Sequence, residues 1–168
     1  MRLVNENKFK EIYTTSNIPS NVKIAMLKNI DQTFYSVDAF VTPIDYSIGM
    51  AYLQSNDYSG ALPYFEKAYS INNTYFAVSN SLALTYVLNG NRDKALALYK
   101  RTLEAYPDNC QTLLNCALLY YQIKDYDHSR NYFDRIKEDD IKKYGALVQR
   151  YLMLKKALAS VNPTARSD

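Results

Sequence analysis

Small and apolar residues recur along this chain at helical spacing, and the whole pattern returns at an interval of about 34 positions. Ile48, Gly49 and Tyr52 line up with Leu82, Ala83 and Tyr86, and again with Cys116, Ala117 and Tyr120. Ala61, Phe65 and Ala68 are answered by Ala95, Tyr99 and Thr102, then by Ser129, Phe133 and Ile136. Each turn of the pattern predicts a pair of helices. The pairs cover about Pro43 to Ser55 and Tyr58 to Ile71, Tyr75 to Asn89 and Arg92 to Ala105, and Asn109 to Ile123 and Tyr126 to Lys137.

The boundaries carry their own signals. Asn89-Gly90-Asn91 supplies a glycine able to take the left-handed conformation that closes a helix. Ser55-Asn56-Asp57 and Lys124-Asp125 occupy the same turn in the outer repeats. Pro107-Asp108 stops one helix and starts the next, and Asp108 with Gln111 has the spacing of a capping box. Within each pair the small residues have a steric task. Gly49, Ala83 and Ala117 admit the second helix closely, Ala61, Ala95 and Ser129 do so from the other side, and Phe65, Tyr99 and Phe133 wedge between. Pro63 falls near a helix start, where a missing N–H is best tolerated.

Outside the repeats the pattern degenerates. Asn5 to Tyr13 predicts a short helix, and Ser20, after Pro19, caps a longer one through about Val37, with Met26, Leu27, Ile30 and Phe34 on its apolar face. Ile141 to Ser160 reads as one amphipathic helix with Leu147, Tyr151, Leu154 and Leu158 at helical spacing. Open helix stacks need such caps, because a terminal repeat otherwise leaves its apolar face in water. The expected organisation is N-terminal capping helices or a degenerate repeat over 1–41, and repeats over 42–75, 76–109 and 110–141. A capping helix over 142–160 and a frayed tail over 161–168 complete it.

Composition changes this picture little. A chain of 168 residues, 48% hydrophobic and 22% charged, suits one globular domain. Its 17 tyrosines beside no tryptophan suit helix packing near a wet surface. The net charge of +3 is spread thinly except from Lys142 to Asp168, which holds six basic residues and one acidic. Because Lys142, Lys143, Arg150, Lys155 and Lys156 form no single stripe, a solvated face explains them better than a nucleic-acid or lipid patch, and no nucleic-acid partner is expected. Cys110 and Cys116 fall six residues apart in one predicted helix, about 9 Å along its axis, beyond disulfide reach. Cys116 holds a core position. Neither a signal peptide nor a membrane span is legible, so the default location is cytoplasmic, or periplasmic if the chain is part of an envelope protein.

Catalytic chemistry finds little support. His128 lies in the polar start of a predicted helix and reads as solvated, and Ser129 beside it is needed for packing. Glu138, Asp139 and Asp140 read as a solvated loop cluster. No phosphate-binding glycine loop, HExxH pair or CxxC appears, and neither cofactor nor metal is expected. Asn72-Asn73-Thr74 fits a glycosylation sequon.

Over about Thr42 to Asp140 the recurring triplets resemble the tetratricopeptide repeat family. The resemblance implies an all-α fold, an α-solenoid or right-handed superhelix of three helix pairs with N- and C-terminal capping helices. It also implies a non-catalytic function in binding other proteins. The third repeat departs from the pattern, with Ser129 and Ile136 at usual alanine positions. The run Phe40 to Tyr46, followed by Ala61-Leu62, Tyr64-Phe65 and Lys67-Ala68, is similar to the C-terminal repeat region of bacterial O-antigen polymerase/ligase proteins. The size and repeat number look like class II chaperones of type III secretion, although Ser79-Asn80-Ser81-Leu82 replaces the glycine-rich helix start of that group.

The family's groove, carried onto this chain, takes Tyr46, Met50, Leu53 and Gln54 from the first repeat. It takes Asn80, Leu84, Val87 and Leu88 from the second, and Gln111, Leu114, Leu118, Tyr121 and Gln122 from the third. Such a set suits a peptide or helix presenting aliphatic side chains, with the amides holding its backbone. The competing expectation is that Leu84, Leu114 and Leu118 pack beneath a flanking segment. The carboxylate clamp found in some members is excluded by residue type: its places hold Tyr46, Met50, Ser81 and Gln111, none cationic, and only Asn115 fits. Apolar edges at Met1 to Tyr13 or Leu152 to Leu158 would support a homodimer.

Overall fold

In the computed structural model, residues 7, 8, 10–12, 14, 15, 17–30 and 43–161 are described, and no strand occurs among them. Residues 7, 8, 10–12 and 14 are helical. The further helices are α1 (Ser20–Lys28), α2 (Ile44–Gln54), α3 (Tyr58–Ile71), α4 (Phe76–Leu88), α5 (Arg92–Ala105), α6 (Cys110–Gln122), α7 (Tyr126–Asp134), α8 (Glu138–Lys142) and α9 (Gly145–Ser160). The chain forms two compact units, Met1–Asn91 and Arg92–Asp168.

Three of the turns are copies of one another. Asn56, Gly90 and Lys124 all take positive φ, at 61°, 80° and 64°. Each stands one repeat after the last, and each follows the first helix of a predicted pair. The next residue's N–H reaches back to the helix: Asp57 to Tyr52 O at 3.0 Å, Asn91 to Tyr86 O at 2.8 Å, Asp125 to Tyr120 O at 3.0 Å. These bonds satisfy carbonyls that a helix end otherwise leaves bare. The same residue then opens the following helix in the outer repeats. Asp57 accepts from the Gly60 N–H at 2.8 Å and Asp125 from the His128 N–H at 3.2 Å.

In the first unit, α2 and α3 meet where Gly49 faces Phe65. A β-carbon on Gly49 would lie 2.9 Å from the Phe65 ring, which is wholly buried. Ala61 and Ala68 are buried on the facing helix, and α3 runs unbroken through Pro63. Beyond α2, α1 closes the unit over Ile12, Leu27, Ile30, Ile44 and Ile48, with Met26 packed alongside. Lys28 fastens that end: its Nζ lies over the stacked rings of Tyr52 and Tyr64 and donates to Tyr52 Oη at 2.9 Å. That hydrogen bond, with the one to Tyr64, pushes the Lys28 ammonium pKa up to about 12. At the other seam, Asn89 Nδ2 donates to Tyr58 O and Thr85 O while its Oδ1 accepts from Ser59, tying α4 to the start of α3.

The second unit follows the same steric rule with different chemistry. Ser129, at a small position, is fully buried, and its hydroxyl donates to Ala117 O at 2.7 Å, so the polar group carries no unsatisfied cost. Leu147, Tyr151, Leu154 and Leu158 all bury, and Tyr151 stacks on Phe133 at 4.8 Å. Arg130 on α7 donates to Leu158 O and Val161 O, closing the end of α9.

Several boundaries differ from expectation. The α1 N-cap is Pro19 and Ser20 makes no capping bond. The helix ends at Lys28, while Phe34 and Val37 lie outside the described residues. The capping residue of α6 is Asn109, accepting from Thr112 N and Oγ1 at 2.9 Å, rather than Asp108 with Gln111. Asn109 stands directly before the first helical residue, within reach of the free N–H groups, and Asp108 pairs instead with Lys137 at 3.4 Å. The α7 helix stops at Asp134, short of Lys137. The expected helix from Ile141 to Ser160 is broken at Tyr144, which sits at φ −115° and ψ 78°. Glu138, Asp139 and Asp140 are the first turn of α8, not a loop, where carboxylates are favoured by the helix dipole.

Gly49→Ala tests the crossing. Helix propensity favours alanine by about 1 kcal/mol, but overpacking against an immobile ring costs about 1–3 kcal/mol, so urea titration should show a net loss of stability. Ala95→Leu, at a buried position, should lower the thermal midpoint more than Ala97→Leu at an exposed one. The turns give a prediction of opposite sign. Lys124→Gly relieves a left-handed penalty of about 1 kcal/mol and should raise the thermal midpoint, whereas Asn56→Gly should change it less, since asparagine tolerates that conformation.

Candidate functional site

Side chains on α2 and α4 come together in the first unit. Ser81 Oγ lies 3.4 Å from Tyr46 Oη and 3.8 Å from Met50 Sδ, which sets the two helices side by side on one face. One and two turns onward from Ser81 stand Leu84 and Leu88, and one turn onward from Met50 stands Leu53. Tyr46, Met50, Leu53, Leu84 and Val87 are half-buried, while Leu88 and Gln54 are exposed. Tyr46, Tyr75 and Phe76 end this strip in ring contacts, Tyr46 to Tyr75 tilted at 6.4 Å and Tyr75 to Phe76 edge-on at 5.9 Å. Burial raises the Tyr46 hydroxyl pKa, and its oxygen accepts from Ser81 Oγ. The residues named are all uncharged, and the strip is about 10 Å long, two helical turns.

Asn80 belongs to the interior. It is 1% exposed, beneath the face rather than on it. Its position one residue before Ser81 turns it toward the core, alongside Val78 and Ser79. Tyr75 and Phe76 were not anticipated as site residues. Their adjacency at a helix start was the available signal.

In the second unit Gln111, Leu118 and Tyr121 are half-buried on α6 and Gln122 is exposed. Leu114 is fully buried, in a helix that also packs against α8 and α9. Arg150 on α9 donates to Asn115 Oδ1 at 3.0 Å. A cation therefore stands at the one asparagine that fitted the family's clamp, brought from α9.

The remaining candidate groups are spoken for. Asp125 bonds His128 Nδ1 at 2.8 Å, and the imidazole stacks on Tyr120 at 5.0 Å. Burial opposes ionisation of Asp125, but its bonds from His128 outweigh it and hold the carboxyl below its usual range. Both thiols are buried, and burial pushes Cys116 up to about 12. Glu138 pairs with Lys155, Asp139 with Lys142 at 3.1 Å and Asp140 with Lys143 at 2.7 Å. Among the described residues there is no His, Cys, Asp or Glu cluster able to hold a metal ion, and no helix long and apolar enough to cross a membrane.

A family model, described as tetratricopeptide repeat, matches residues 52–111 and again 86–151. Photosystem I assembly protein Ycf3 of Prochlorococcus marinus strain SARG is 31% identical over 105 residues, covering 56% of this chain and 61% of its own. Ycf3 of the same species, strain NATL1A, is 32% identical over 78 residues, 45% of each chain. The chain thus spans less than two thirds of the length of these curated relatives. Two crystal structures of MamA share the fold. One is 21% identical with a TM-score of 0.65, covering 94% of this chain and 81% of that one. The other is 24% identical with a TM-score of 0.66, covering 84% and 76%. With its all-helical hairpins and a family match across more than half its length, the chain belongs to the tetratricopeptide repeat family, an α-solenoid class of non-catalytic protein-interaction modules.

Proposed function

We propose that the Tyr46 face of the first unit captures an aliphatic segment of a partner protein and so helps a larger complex assemble. The observation that carries this is the uncharged strip of Tyr46, Met50, Leu53, Leu84 and Leu88, set side by side through Ser81 and left partly open. An amphipathic helix laid on it would bury about two turns of aliphatic side chains, with Gln54 at the rim. Likeness to a protein named for photosystem I assembly supports the assembly role, without fixing which complex is served. Self-association through the C-terminal helix would use other residues and is a separate matter.

Met50→Glu and Leu84→Glu, each retaining wild-type helicity by circular dichroism, should lose the partner that immobilised wild-type chain captures from its source cells, by about ten-fold or more for a charge buried in an apolar contact. Met153→Glu should retain it. Equal capture by all four proteins would place binding on another surface.

A further inference from the structure

Met153 and Leu152 are the most exposed large apolar residues described, at 70% and 54%, and they are neighbours on α9. The opposite side of that helix is fully used by Leu147, Tyr151, Leu154 and Leu158. Helix α9 begins about one repeat interval after α6, and the family match runs into it as far as residue 151. It therefore occupies the place of a first helix of a further repeat. We propose that this outward face is an isologous interface, on which α9 of a second copy packs antiparallel.

The face is complementary to itself. Its exposed residues are Gly145, Ala146, Gln149, Leu152, Met153, Lys156, Ala159 and Ser160. A two-fold axis between Leu152 and Met153 sets each of these against the other at the centre. Gln149 then meets Lys156 of the second copy, and Ala146 meets Ala159, so small residues at both ends let the backbones approach. No like charges face each other. The remaining cations of the helix are held within their own chain, Lys155 by Glu138 and Arg150 by Asn115. Two helices of this length, about 24 Å, bury less than the roughly 1,200 Å² of a stable interface, so the dimer is weak and depends on concentration.

Sedimentation velocity of the full chain over a concentration series tests this. The wild type should rise from the mass of one chain toward two. Met153→Glu should remain a single chain to at least about ten-fold higher concentration. Gln149→Glu places a carboxylate opposite Lys156 and should tighten the dimer by roughly three-fold, a gain that high salt removes. Both positions are exposed, so helicity should not change. A single chain at every concentration overturns the proposal and leaves the face to a helix of another protein. A dimer unaffected by Met153→Glu overturns it too, as does a Gln149→Glu dimer no tighter than wild type, because the register would then be wrong.

Discussion

Three of the turns among the described residues pass through one residue in the left-handed conformation, and the helix ends they close depend on it. At Asn56, Gly90 and Lys124 the backbone turns so that the following N–H reaches a carbonyl five residues back. That single geometry ends the helix before it, and at Asn56 and Lys124 it positions the aspartate that caps the next helix. Only one of the three positions is glycine. The others accept a strained backbone because the surrounding bonds over-determine it.

The close crossings come next in consequence. Where Gly49 meets Phe65 there is no room for a methyl group, and in the third repeat the counterpart of Ala61 is a serine that bonds the backbone across the seam. Packing of this kind leaves the solvent-facing residues of α2 and α4 free to vary, which is where the open strip of the first unit lies. The C-terminal basic residues, in contrast, are held by an acidic turn directly before them, and Lys142, Lys143 and Lys155 present no uncompensated patch.

How much of this was legible follows from the range of each interaction. Repeat spacing announced the hairpins, the turns and the buried faces, because those depend on residues close in sequence. The Arg150–Asn115 bond, the Lys28 contact with Tyr52 and Tyr64, and the inward turn of Asn80 depend on residues far apart or on a small helix rotation, and no local pattern encodes them. The break at Tyr144 was hidden by an apolar rhythm that continues across it. The narrower likeness to O-antigen polymerase/ligase repeats gains nothing from the packing. Ala61, Phe65 and Ala68 are what any such seam needs, and residues 40–42 lie outside those described.

The Asn89 latch ties the chemical lifetime of the molecule to its folding. Asparagine before glycine is the pairing most prone to lose ammonia, because an unhindered glycine nitrogen can attack the neighbouring carboxamide. Here that carboxamide is engaged by Tyr58, Thr85 and Ser59, and the Gly90 N–H is bonded to Val87 O at 3.0 Å. The glycine that makes the turn also creates the hazard, and the bonds that close the α3–α4 seam suppress it. Ageing at this site therefore proceeds through the opened seam.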